Sequence, residues 1–162
     1  MLRRTAMTAL SVAALSPLLM QAACAQTGSP TQLRQQLLAA STFSLNSSTL
    51  AARQAQAPAV KTFAQFEAAE QQAEMQAMKL AGVPIPAEVP MDAQKMQMMQ
   101  QLQGLSGAQF DRMYLQGQLT GHQELLALHQ ALLTAGSREE QIIATLGIAS
   151  INQHIAMLRA MG

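Results

Sequence analysis

The chain has 162 residues, of which 49% are hydrophobic, 12% charged and 3% aromatic, and its formal net charge is +1. Ala, Leu, Gln and Met outnumber the β-branched and aromatic residues, so the composition favours helices over strands and one compact all-α domain. Without Arg3 and Arg4 the net charge becomes −1, which excludes the basic surface of a nucleic-acid-binding protein. We therefore expect no nucleic-acid partner.

The N-terminal segment has the features of a secretory signal peptide. Its two arginines give a basic start, residues 6–20 form an apolar stretch too short for a membrane anchor, and Ala23-Cys24-Ala25 resembles a cleavage site. We predict a signal peptide over residues 1–25 and a periplasmic or secreted mature protein that begins at Gln26.

The alternative is a lipoprotein acylated at Cys24, which would associate with the outer membrane. Gln21 disfavours the lipoprotein alternative, because lipoprotein signals carry an aliphatic residue at that position. Cleavage at the predicted site removes Cys24, the single cysteine, so the mature protein is expected to contain no disulfide.

The first half of the mature chain is predicted to form a linker and two helices. Residues 26–31 are predicted to be a flexible linker, and residues 32–161 a helical bundle. From Leu33 onward, apolar and small residues recur every three or four positions, which predicts a first helix. Pro58 suits the first turn of a second helix, which we expect to end at Leu80.

A proline-rich segment separates these helices from the rest. Residues 83–90 contain three prolines and are predicted to cross the bundle in an extended form. A short helix is expected over residues 92–103. Capping-box patterns at Ser106 to Gln109 and Ser137 to Glu140 predict two further long helices, which extend to about residues 133 and 160. The predicted fold is therefore a four-helix bundle with one short extra helix.

Several polar residues fall on the predicted core faces. Glu67, Gln71 and Glu74 share the apolar face of the second helix at about 100° per residue. His122 lies at the flank of the apolar stripe of the third long helix, and His154 lies within that of the last. A buried carboxylate needs a partner, so we expect these groups to meet inside the bundle.

Two interpretations of this convergence stay open. In the first, the histidines are core residues that are hydrogen-bonded to backbone carbonyls or to Glu67 and Glu74. In the second, His122, His154, Glu67 and Glu74 bind a metal ion between facing helices, where bundles build such sites. The sequence does not decide between them.

Other chemistry receives less support. Met91, Met96, Met98 and Met99 could offer thioether ligands to Cu(I), but methionine at helical spacing is commonly core filler. We find no nucleophile motif and no phosphate-binding loop. We expect no enzyme activity and no cofactor, and the oligomeric state is not indicated.

Four segments resemble the bacterial family called domain of unknown function 4142 (DUF4142). The most specific is Phe110-Asp111-Arg112-x-Tyr114 with a histidine eight residues after the tyrosine. The segments that carry the resemblance are Ser44 to Ala51, Pro58 to Gln65, Leu105 to Tyr114 with His122, and His154. The resemblance as a whole covers the chain from about Leu33 to Leu158.

The resemblance implies an exported, ferritin-like four-helix bundle, often labelled an outer-membrane protein, without an established activity. Family members often carry Glu at the position of Ser44 and His at that of Gln71, together with histidines at positions 122 and 154. A ferritin-type di-iron centre needs Glu-x-x-His pairs, which are missing here because the residues three before the histidines are Leu119, Leu126 and Ile151.

From these observations we expect an exported bundle with a non-enzymatic binding or envelope-stress function. The alternatives are a metal-binding protein with a degenerate ferritin-like site and an interaction module with an outer-membrane or other envelope partner.

Overall fold

A computed structural model describes residues 28–162, so the predicted signal peptide, its cleavage site and Cys24 lie outside the described residues. The described chain contains five helices and no strand. The helices are α1 (Pro30–Gln54), α2 (Pro58–Leu80), α3 (Ala93–Gln103), α4 (Gly107–Ala135) and α5 (Arg138–Met161). The predicted all-α bundle of four long helices, with one short helix after the proline-rich linker, is confirmed.

One helix start and one helix cap differ from the prediction. α1 begins inside the linker expected over residues 26–31, because Ser29 and Gln32 form a capping box that fixes Pro30 in the first turn. The capping box predicted at Ser106 is wrong, since Ser106 makes no side-chain cap hydrogen bond. Its φ is −148°, whereas Ser29 and Ser137, which do form boxes, have φ of −58° and −62°.

The helix directions follow from contacts between buried side chains. Ser44 contacts Gln118 and Ser48 contacts Tyr114, so α1 and α4 run antiparallel. Glu67 contacts His122 and Glu74 contacts His129, so α2 and α4 run parallel. The chain from residue 81 to 106 must therefore cross the length of the bundle. One long crossover is the connectivity of ferritin-like bundles.

The crossover closes one side of the bundle and leaves another open. α3 packs against α1 and α4 rather than against α2 or α5. A groove of about 350 Å³ lies between α2 and α5. Along this side, Phe66 of α2 and Ile142, Leu146 and Met157 of α5 are between 47% and 71% exposed.

The core consists of two apolar clusters with a polar layer between them. One cluster contains Leu37, Leu128 and Ile151, and the other contains Phe110 and Leu158. The buried polar residues that form the layer are Ser44, Ser47, Ser48, Glu67, Gln71, Gln118, His122 and His154. The candidate site lies in this layer.

Among the described helices, α5 is the one long and apolar enough to suit a membrane span by length and mean hydropathy. A helix of a bundle core passes the same test. In this fold Ile151 and Leu158 of α5 pack inside the bundle, and His154 contacts Glu67.

Candidate metal centre

Three ionisable side chains meet in the polar layer. His122 Nε2 lies 3.2 Å from His154 Nδ1 and 3.3 Å from Glu67 Oε2, and His154 Nδ1 lies 2.8 Å from Glu67 Oε2. Each of the three residues is at most 9% exposed. The predicted approach of the two histidines is therefore confirmed. We call Glu67, His122 and His154 the triad.

The other ring nitrogen of each histidine lies near an oxygen atom outside the triad. His122 Nδ1–H donates to the backbone carbonyl of Gln118 at 2.8 Å, and His154 Nε2 lies 3.4 Å from Glu70 Oε2. Metal-binding histidines typically donate their second ring N–H to a carbonyl or carboxylate, as His122 does. When each ring carries a proton only on that outer nitrogen, His122 Nε2 and His154 Nδ1 direct lone pairs at the centre of the triad; when the inner nitrogens are protonated, they donate to Glu67 instead.

The carboxylate of Glu67 is held by its second oxygen. Ser44 Oγ donates to Glu67 Oε1 at 2.6 Å, and Gln71 Nε2 donates to the same atom at 3.0 Å. Glu67 Oε2 remains directed at the histidines. Ser44 of α1 and Gln71, one turn after Glu67 on α2, thus orient the carboxylate of Glu67.

The buried Gln71 Oε1 accepts no hydrogen bond from the described residues. Buried acceptors are nearly always paired, with protein groups, water or ions. Because Gln71 is bonded to Glu67, this oxygen lies one hydrogen bond from the triad.

The electrostatics of the triad favour a charged carboxylate. Burial alone would raise the pKa of Glu67, but hydrogen bonds from His122, His154 and Ser44 hold that pKa well below its usual range. Burial opposes the charging of His154, yet the hydrogen bond to Glu67 and the negative charges of Glu67 and Glu70 raise its pKa. A cation is therefore stabilised at this point of the bundle.

The spacing of the triad also suits a metal ion. Ligands about 2.0–2.2 Å from a tetrahedral zinc ion lie about 3.3–3.6 Å from one another. The two separations from His122 Nε2, 3.2 and 3.3 Å, lie at the short end of that range. The 2.8 Å separation between His154 Nδ1 and Glu67 Oε2 is shorter and lies within hydrogen-bonding distance.

Glu74, the fourth ligand predicted from the sequence, does not join the triad. Its Oε1 lies 2.8 Å from His129 Nε2, and His129 Nδ1–H donates to the carbonyl of Leu125. Glu74 lies seven residues after Glu67, which places it about 10 Å further along the helix. Burial opposes the charging of His129, but the hydrogen bond and charge of Glu74 raise its pKa.

Sequence reasoning missed the residues that support the triad. Gln118 links the layer through its amide, which donates to Ser47 Oγ and Ser48 Oγ at 2.8 and 3.1 Å. The position of Gln118 one turn before His122, on the same helical face, could have identified it from the sequence. Glu70 carried no signal, because it falls beside the apolar face of α2 rather than on it.

The groove between α2 and α5 leads toward the triad. It is lined by Glu70 and Glu74 on one wall and by Leu146, Gly147 and Ser150 on the other. Glu70, which contacts His154, therefore joins the solvent-facing groove to the buried ligands.

The methionine-rich segment has a different role. Met98 and Met99 pack against the apolar cluster that contains Phe110, and Met96 is 47% exposed. This arrangement favours core filling for Met98 and Met99 over a Cu(I) site, because their half-buried side chains pack against an apolar cluster.

A family model described as "Domain of unknown function (DUF4142)" matches residues 16–161. The match includes the triad and all the residues of the polar layer. No curated protein and no solved structure matches the chain.

Proposed function

We propose, from the premise that the chain belongs to the DUF4142 family, that it is an exported helical-bundle protein that binds a divalent transition-metal ion. The ligands are Glu67, His122 and His154. Two imidazoles and one carboxylate form a donor set found around zinc and non-haem iron(II) in proteins.

The observation that carries the proposal is the meeting of three buried ligand atoms within 4.8 Å of one another. Burial makes this group unlike an ordinary surface cluster, since desolvated charges need compensation. The second ring nitrogen of His122 and the second carboxylate oxygen of Glu67 are already hydrogen-bonded to neighbours, and the second ring nitrogen of His154 lies 3.4 Å from Glu70. These contacts orient the ligands before an ion arrives.

Binding without catalysis is supported by the shape of the site. The groove between α2 and α5 is lined by Glu70 but by none of the three triad residues. A substrate in that groove would not reach the ion, whereas a bare or hydrated ion could pass Glu70. We therefore assign a binding function and no enzymatic activity.

The test is metal analysis of tag-free protein purified from the periplasm without chelator, followed by Zn²⁺ titration against a competing chelator. We expect one ion per chain. His122→Gln should weaken Zn²⁺ binding by at least about 100-fold, since it removes a ligand as well as the contacts that orient it.

His129→Gln is the matched control. His129 lies on the same helix, bonds the carbonyl four residues before it and pairs with a glutamate of α2, as His122 does. It should leave Zn²⁺ affinity unchanged. Equal affinities for the wild type and both variants would overturn the proposal.

A second candidate function, docking on an outer-membrane or other envelope partner, is favoured by the exposed Phe66, Leu146 and Met157 along the open side. Phosphatidylethanolamine/phosphatidylglycerol vesicles should then co-sediment with the wild type and less with Leu146→Ser. Leu133→Ser, an exposed leucine on α4, is the control. Equal sedimentation of both variants would argue against this function.

A further inference from the structure

We propose that a second cavity, whose lining includes none of the metal ligands, binds a single-chain amphiphile with a carboxylate head group, such as a fatty acid. The cavity has a volume of about 590 Å³ and lies where the first turns of α2 and α4 meet the last turns of α5. Pockets for small molecules typically measure about 300–1,000 Å³. The volume therefore suits one acyl chain and not a two-chain phospholipid.

The floor of the cavity is apolar. It belongs to the cluster of Phe110 and Tyr114, so a chain lying there would join an existing core. The apolar side chains that line it are Val60, Leu115, Leu119, Leu158 and Met161. Each methylene removed from water onto such a floor tightens binding by up to about fourfold.

Two arginines at the cavity supply the complement to an anion. Arg112 comes from α4 and Arg159 from α5, and both line the cavity and are exposed. Neither forms an ion pair with a carboxylate of the described residues, unlike Arg34, which pairs with Glu140 at 2.7 Å. Planar guanidinium groups match the geometry of a carboxylate and can bind it through two parallel hydrogen bonds.

The acidic residue at the cavity does not cancel this charge. Asp111 is 7% exposed, and its two oxygens accept hydrogen bonds from the backbone amides of Gln56 and Ala57 at 3.0 and 2.8 Å. These amides stand at the N-terminus of α2, where the helix dipole also stabilises a negative charge. Both oxygens of Asp111 are thus engaged by the backbone, and Arg112 and Arg159 are the side-chain cations that can meet a ligand head group.

The test is calorimetric titration of the full chain with decanoate, dodecanoate and tetradecanoate below their micelle concentrations, with EDTA present so that metal binding plays no part. We expect one site per chain and an affinity that rises with chain length. Dodecyltrimethylammonium, of equal chain length and opposite charge, should bind at least about tenfold more weakly than dodecanoate.

Arg112→Gln combined with Arg159→Gln should weaken dodecanoate binding by about tenfold or more. The matched control combines Arg53→Gln with Arg138→Gln, two exposed arginines that do not line the cavity. It should bind as the wild type does. Ala108→Trp places an indole in the cavity from an exposed position and should abolish binding of every ligand.

Unchanged dodecanoate affinity in the Arg112/Arg159 double variant would overturn the proposal. The proposal would also be overturned if dodecanoate did not bind while vesicles rich in phosphatidylglycerol bound through these two arginines. The arginines would then bind a lipid surface. Zn²⁺ titrations of the same variants distinguish this proposal from the metal-binding proposal. The Arg112/Arg159 double variant should keep the wild-type Zn²⁺ affinity, whether or not it binds dodecanoate.

Discussion

Gly147 and Gly121 are both buried helical glycines, and their surroundings differ. A Cβ atom at Gly147 would lie 2.6 Å from His129 Nε2, whereas at Gly121 the nearest atom, in Phe43, is 3.9 Å away. Gly147→Ala must displace His129 and should lower the unfolding free energy by about 1–3 kcal/mol. Gly121→Ala should raise it by about 0.5–1 kcal/mol, because alanine loses less backbone entropy in a helix.

Urea denaturation of both variants measures these changes, and Zn²⁺ titration should show that Gly147→Ala leaves the triad intact. Equal stability changes in the two variants would show that His129 does not depend on the small residue opposite it.

The ion pair of His129 with Glu74 predicts a pH dependence. Because the folded chain holds the pKa of His129 above its ordinary value of 6.5, its protonated form stabilises the fold fully below that value. The contribution disappears as the pH rises through the raised folded-state pKa. His129→Gln should therefore cost more stability at pH 6 than at pH 9. Chemical denaturation of wild type and variant at both pH values checks this, and an equal cost would contradict it.

The sequence predicted which side chains face the core better than it predicted which of them meet. Glu67 and Glu74 share a face of α2, and both were expected at one site. Whether a side chain faces the core depends on its angle around the helix, which the sequence periodicity reveals. Whether two core-facing side chains on different helices contact each other depends also on their depth along the bundle axis, which is set by the packing of the helices. Because Glu74 lies seven residues after Glu67, it contacts His129 and not the triad.

At the scale of helices, two serines with the same sequence signature behave differently. Ser137 accepts from the amide of Glu140 in a capping box, while Ser106 forms no side-chain cap. Gly107, immediately after Ser106, has a φ of +59°, a conformation that glycine adopts readily. The motif specifies the side chains of a capping box but not the backbone geometry that brings them together.

Ser137→Ala should consequently destabilise the protein by about 1 kcal/mol. Ser106→Ala removes the same hydroxyl from an equally exposed N-cap and should cost less than half as much, because no cap bond is lost. Thermal unfolding followed by circular dichroism compares them. Equal costs would mean that the hydroxyl of Ser106 also caps its helix in solution.

At the scale of the whole molecule, composition and proline placement predicted the bundle and its crossover. The three prolines within residues 83–90 predicted the crossover, and the helical pattern that starts near residue 92 predicted its short helix. The open side between α2 and α5 was not predicted. It depends on which pair of helices the crossover covers, and the periodicity of a single helix carries no information about that.

The predicted signal peptide has a testable consequence for the mass of the mature protein. We expect intact-mass spectrometry of protein from the periplasm to give a mature N-terminus at Gln26, because Ala23-Cys24-Ala25 forms a small-residue cleavage site. A mass that corresponds to diacylglyceryl-modified Cys24 would contradict this and would place the protein at a membrane surface.

Under the proposed metal-binding function, the groove between α2 and α5 determines when the ion can bind. Since hydrogen bonds already bring the triad together and Glu70 reaches it from the groove, we expect the chain to fold first and to bind the ion afterwards. Exchange of the ion should then follow local movements of Glu70 and His154 and should be far faster than global unfolding. On this proposal, the protein samples the metal content of its surroundings throughout its lifetime.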